Sequence, residues 1–283
     1  MIPVSFEYVA PTSVEEALSL LTEHGDEAKI LAGGHSLLPL MKLRLAAPAV
    51  LVDLGTVDSL RYIREEDGQV SIGAMTTYAA VEHSETIRRV IPMLAQAVSL
   101  VGDMQVRNRG TLGGALAHAD PAGDMPAVVS ALGGSVLVQG PHGQREIDIS
   151  DFFVDIFTSA LEPDEILTEI RLRRQEGAAG SYEKFRRRQI DWAIVGAAVS
   201  LSIAGGKIGD ARVALTNVGP TPVRATAVEN ALHGVPVDDL RLEDVSQLAS
   251  ENIDPQPELN ASSEYKRHLA RVLTRRALQS SLA

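Results

Sequence analysis

Lys29-Ile30-Leu31-Ala32-Gly33-Gly34-His35-Ser36 is the stretch around which the chain is organised. Aliphatic residues run into two adjacent glycines, a serine able to cap a helix follows, and Leu37-Leu38-Pro39-Leu40-Met41 continues as a helical pattern. Glycine has no Cβ and reaches backbone angles other residues avoid, so a ligand can approach the chain closely there. Open N–H groups at a helix start attract anions. Strand, glycine pair and helix start together read as a phosphate cradle; taken alone, the same residues also read as a tight turn. The stretch is not a G-x-G-x-x-G fingerprint, and no P-loop lysine follows it.

A second copy of the pattern lies at Thr111-Leu112-Gly113-Gly114-Ala115. Two cradles in one chain imply a ligand with two ends, or a diphosphate. Arg107 and Arg109 flank the second loop; they read either as solvated charge or as contacts to phosphate or a partner. Asp124, before Met125-Pro126, reads equally as a helix cap and as an acceptor for ribose or ribityl hydroxyls. Lys184 has the same two readings as the flanking arginines, whereas Arg186 to Arg188 read as a solvated face. Trp192, beside an apolar strand, reads as core. His35 and His118 read as loop hydrogen-bonders, since no triad partner stands near them.

The whole chain sets bounds on these readings. Its 283 residues are enough for two domains, and 45% hydrophobic content fits a globular protein. A net charge of -11 argues against nucleic acid as a partner. No apolar run approaches a membrane span, and Met1 to Glu7 lacks the pattern of a secretory signal. The expected compartment is the cytoplasm. Cysteine is absent, so thiolates here hold neither an iron–sulfur cluster nor zinc, and redox chemistry has to run through an organic cofactor. The seven histidines show no metal-ligand spacing.

Periodicity divides the chain into blocks. Phe6 to Val9, Lys29 to Leu31 and Val50 to Leu54 read as strands, separated by a helix capped by Ser13 and by the helix after the first glycine loop. A second block opens with a hairpin through Asp67-Gly68 and carries helices from Thr77 and Ile91, the second glycine loop, and strands at Ser135 to Gly140 and Glu165 to Leu172. A polar boundary at residues 174–180 separates domains at 1–176 and 177–283, the first made of subdomains at about 1–55 and 56–176. Three strand-like runs follow, then three helices, and the fold class is α+β.

Ala32-Gly33-Gly34-His35-Ser36-Leu37-Leu38-Pro39 and Thr111-Leu112-Gly113-Gly114 resemble the two flavin-binding motifs of the molybdenum hydroxylase (xanthine dehydrogenase) flavoproteins. Met41-Lys42-Leu43-Arg44-Leu45-Ala46, Ile72-Gly73-Ala74-Met75-Thr76-Thr77, Asp120-Pro121 with Gly123-Asp124-Met125-Pro126, and Leu215-Thr216-Asn217-Val218 extend the resemblance nearly end to end, towards the carbon monoxide dehydrogenase branch. The resemblance implies a vanillyl-alcohol-oxidase-like FAD domain of two subdomains, then a C-terminal three-stranded antiparallel sheet with a three-helix bundle. It implies a hetero-oligomer with a large molybdopterin subunit and a small 2Fe-2S subunit, with electrons passing through FAD to a quinone or other acceptor. The complex would be cytoplasmic, or peripheral to the inner face of the membrane.

The site residues implied are Lys29, Ile30, Leu31, Ala32, Gly33, Gly34, His35 and Ser36 with Thr111, Leu112, Gly113, Gly114 and Ala115 around the diphosphate and ribityl chain, and Asp124 on hydroxyls. Ile166, Leu167, Lys184 and Trp192 would lie near the flavin, with Lys184 favouring its anionic reduced form. Trp192 stands where relatives often carry Tyr, and Ala115 where they often carry Asn. No side chain is implied as a catalytic acid or base, and no metal is implied here. Two alternatives remain open: the FAD subunit of a molybdenum hydroxylase acting on an aldehyde or N-heterocycle, and a non-redox nucleotide-binding module.

Overall fold

The computed structural model describes residues 2–175 and 178–283. The expected domain boundary, between 176 and 177, lies outside the described residues, as does Met1.

The first block is a small parallel sheet. Strands β1 (Glu7–Val9), β2 (Ala28–Leu31) and β3 (Val50–Asp53) lie in the order β1-β3-β2. Helix Val14–His24 buries Val14, Ala17, Leu18 and Leu21, the i, i+3, i+4, i+7 stripe that amphipathic packing requires. Its start is fixed by Ser13, whose Oγ accepts from the Glu16 N–H at 3.1 Å, while Glu16 reaches back to the Thr12 N–H. Gly25, at φ +50°, ends it.

The second block is an antiparallel sheet of β4 (Ile63–Glu66), β5 (Gln69–Gly73), β6 (Gly134–Gly140) and β7 (Gly143–Asp148), joined later by β10 (Ile166–Arg173), in the order β4-β5-β10-β6-β7. Asp67 and Gly68 both take positive φ in the turn between β4 and β5, as the dipeptide signals. The edge strand β7 carries only one buried residue, so its sequence shows no apolar alternation and gave no strand signal. A short hairpin, β8 (Phe153–Asp155) with β9 (Thr158–Ser159), packs against this block through Phe153. Helices Tyr78–His83, Pro92–Ser99, Leu112–His118 and Asp124–Leu132 complete the same core.

The third sheet is β11 (Ala178–Phe185), β12 (Val195–Ala204), β13 (Lys207–Thr216) and the two-residue β14 (Val223–Arg224). The expected three strands are present, and the fourth sits where a helix was expected to begin; that helix starts at Thr226. β12 is buried on both faces. Ala198, with Tyr182 and Ala214, packs into the core of the second block, whereas Ala197, Val199 and Leu201 pack with Leu269, Leu273 and Ala277 of the C-terminal helix Ser263–Leu282. The sheet is thus a middle layer between helix Asp124–Leu132 and the C-terminal helices, and this layer carries Lys184 to the second block. The whole is an α+β fold, as expected.

Candidate flavin site at the seam of two glycine loops

The two glycine loops meet. A Cβ added to Gly33 would overlap the Arg109 carbonyl oxygen and lie 2.8 Å from Gly110 Cα, and one on Gly114 would lie 3.2 Å from Ala32 Cβ. Backbone therefore passes backbone at a separation only glycine permits, although the loops are far apart in sequence.

The loops do different work within that seam. Gly34 sits at φ +79°, and among the described residues the N–H groups of Gly33, Gly34, His35 and Ser36 have no protein acceptor. Their carbonyls are used instead: Gly34 O accepts from Leu38 N, and Ser36 O from Leu40 N. Ser36 makes no side-chain capping bond, against the expectation from sequence, because its backbone is already helical at φ −103°, ψ −54°. The second loop spends its amides internally. Leu112 N donates to Thr76 O, Gly113 N to Ala74 O, Gly114 N to Thr111 Oγ1 and Ala115 N to Thr111 O. Thr111 is the N-cap of helix Leu112–His118, and its hydroxyl is thereby engaged. Its glycines provide close approach, Gly113 to the Ala74 backbone and Gly114 to Ala32, rather than a second row of open donors.

Around this seam the other residues fall into three groups. Ile30 and Leu31 pack in the core of the first block; Ile166 joins that core and Leu167 that of the second. Lys29 is exposed, and its charge acts on His118 at the far end of the second loop's helix. His35 is exposed, and neither its ring nor that of His118 makes a hydrogen bond among the described residues, contrary to the sequence reading. The His118 ring instead lies 5.1 Å from that of Phe157, centroid to centroid, and burial pushes its pKa below 6.5.

The second group is a buried polar cluster. Asp124 is neither cap nor free acceptor: Gly123 caps the helix, and the Asp124 carboxylate accepts from Tyr182 Oη at 2.6 Å and from Lys184 Nζ at 2.7 Å. Lys184 also reaches the Leu100 carbonyl at 3.3 Å, and its side chain is only 2% exposed. Tyr182 and Lys184 share a face of β11 because they are two residues apart on a strand, and that face looks onto helix Asp124–Leu132. Burial drives the Asp124 carboxyl up, and the ammonium and phenol beside it oppose that. The Lys184 charge is therefore offset by its own partner, so the pair is a buried dipole rather than a free cation. Arg186, expected on a solvated face, donates to Leu100 O at 2.6 Å, while Arg187 and Arg188 are exposed beside Asp191. Trp192 is 61% exposed and is not core: it precedes β12 in an open turn, outside the sheet's buried face.

The third group is a crevice of about 700 Å³ outside the ends of β1 and β3, which includes Ala32 and Thr111 but none of the other residues implied for the cofactor.

Open donors at a helix start, flanked by glycines where side chains would collide, fit the diphosphate of a dinucleotide. Comparison with known proteins gives the same class of cofactor. Residues 4–173 match the FAD binding domain in molybdopterin dehydrogenase, and residues 180–281 match the CO dehydrogenase flavoprotein C-terminal domain. The chain belongs to the FAD-binding subunit family of the molybdenum hydroxylases, and it is an oxidoreductase subunit whose cofactor is FAD. It is 40% identical to the carbon monoxide dehydrogenase medium chain of Hydrogenophaga pseudoflava, over 100% of this chain and 99% of that one. It is 37% identical to the alpha subunit of the 6-hydroxypseudooxynicotine dehydrogenase complex of Paenarthrobacter nicotinovorans, over 100% of this chain and 96% of that one. A solved carbon monoxide dehydrogenase from Hydrogenophaga pseudoflava superposes with a TM-score of 0.96 at 42% identity, over 99% of this chain and 98% of that one. These relatives belong to multi-subunit complexes. Among the described residues, no helix is long and apolar enough to cross a membrane.

Proposed function

We propose that the chain is the electron-transfer flavoprotein subunit of an aerobic carbon monoxide dehydrogenase. Electrons released by carbon monoxide oxidation in a molybdopterin subunit would reach this chain through a 2Fe-2S subunit and leave to a quinone or other acceptor. FAD supplies the redox chemistry when bound. The protein's part is to bind and orient it: the Gly33 to Ser36 amides would hold the diphosphate, Thr111 to Ala115 would close the other side, and the Asp124–Lys184 pair and Trp192 would lie near the ring. The observation that carries this reading is the row of four open amides on the wall shared with the second glycine loop.

A second reading keeps the same subunit but serves a different large subunit, oxidising an aldehyde or an N-heterocycle. It is favoured by the end-to-end similarity to a subunit of a complex whose name carries another substrate. Native purification, cofactor extraction and subunit identification separate the readings. FAD together with a carbon-monoxide-oxidising molybdopterin partner is expected. A partner oxidising a heterocycle selects the second reading, and a colourless native complex contradicts both.

A further inference from the structure

The crevice outside β1 and β3 has features the flavin account leaves unused. It lies beyond the carboxyl ends of parallel strands, where open α/β sheets bind ligands, and its volume is that of a small-molecule pocket. The wall between it and the glycine seam is the contact of Gly33 with the Arg109-Gly110 backbone.

The charges at the crevice are arranged for an anion. Arg109 lines it and makes no hydrogen bond or ion pair among the described residues, although its charge is felt at the Tyr8 hydroxyl. This contrasts with Arg107, two residues earlier on the same helix, which is bound by Glu82 at 2.8 Å and by the Val101 carbonyl. Arg61 is the second guanidinium; it donates to Gly55 O and stands 4.0 Å from Asp58. The one carboxylate lining the crevice, Asp53, has both oxygens engaged, by Tyr8 Oη at 2.6 Å and by Gly55 N–H at 2.8 Å. Ile63 and Met75 add an apolar surface beside the Tyr62 ring. In a chain of net charge -11, an unpaired arginine beside a satisfied carboxylate and an apolar wall is matched to a flat organic anion.

We infer that this crevice is a second small-molecule site, taking an organic anion with a planar apolar body, of the aromatic carboxylate or sulfonate class. Its ligand would touch the end of β3 and Arg109 together, and so would tie the first block to the second at the wall of the cofactor loop.

The probe is 8-anilinonaphthalene-1-sulfonate, titrated by fluorescence into the FAD-loaded full chain. Saturation at one site per chain is expected. Binding should weaken by about tenfold in Arg109→Gln, roughly 1.4 kcal/mol, recover in part in Arg109→Lys, and vanish in Ala80→Trp, which fills the mouth. It should be unchanged in Leu43→Ser, which trims an exposed leucine elsewhere. Flavin content in the same samples should stay at the wild-type level in Arg109→Gln. No binding, binding indifferent to Arg109→Gln, or binding lost in Leu43→Ser would overturn the inference. Loss of dye and flavin together in Arg109→Gln would place the dye in the cofactor cleft and overturn it too. If Ala80→Trp does not fold, the Arg109 pair decides.

Discussion

Gly33 is the residue on which the seam turns. Any Cβ there meets the Arg109 carbonyl, which is backbone and cannot swing aside. Gly33→Val is therefore expected to part the loops, lowering stability by about 1–3 kcal/mol and abolishing FAD retention, as read by thermal unfolding and flavin absorption. Retention of FAD at the wild-type level would contradict this. Lys184 makes a different case. Replacing it by Met leaves Asp124 buried and short of its cation, at an expected cost of about 3–5 kcal/mol in urea unfolding; adding Asp124→Asn should return a large part of that cost. At this scale the sequence marked the glycines as positions of close approach, but it read a ligand as what approaches, whereas Gly33, Gly113 and Gly114 meet other parts of the chain. It was not legible for Asp124, whose two readings were even. The deciding fact is a tyrosine and a lysine from a strand about sixty residues away in sequence. Trp192 was misread because neighbouring an apolar strand is not the same as belonging to it.

The element that matters most is helix Leu112–His118. Its start is held by the Thr111 hydroxyl, which accepts from Gly114 N–H at 3.2 Å. Thr111→Val should cost about 1 kcal/mol in chemical denaturation, and Thr111→Ser should keep most of it; equal stability of Val and wild type would contradict the cap. His118, at the other end, titrates. Burial lowers its folded pKa from 6.5, with Lys29 adding to this and Asp120 opposing it. The folded state thus binds fewer protons than the unfolded chain. The stability this contributes is present above about 6.5 and is lost as pH falls through the lower folded value. The melting temperature should fall on acidification through that range, and fall less in His118→Gln. Helices and hairpins with caps or a turn dipeptide, such as Ser13 and Asp67-Gly68, were legible from sequence because the signal is local. The edge strand Gly143–Asp148 was not, since its partner β6 dictates it and its own side chains are exposed.

At the scale of the whole molecule, the described residues form sheets of three, five and four strands besides the short β8–β9 hairpin, and the C-terminal sheet brings Lys184 to Asp124. The order of elements was readable, because each block announces its own period. The assembly was less so: β12 reads as buried on both faces, but nothing in its sequence says that one face meets helix Asp124–Leu132 and the other the C-terminal helix. The resemblance to flavoprotein subunits implied a C-terminal sheet with a helix bundle, not the packing of that sheet against the second block. The first glycine loop alone, as the sheet places it, keeps its amides open. The most direct test is a crystal structure of the full chain loaded with FAD. The account predicts diphosphate oxygens within about 3.2 Å of the Gly33 to Ser36 amides, with Gly114 closing the other side. A diphosphate seated instead in the crevice beside Tyr8 and Arg109, with those four amides bound only to water, would contradict it.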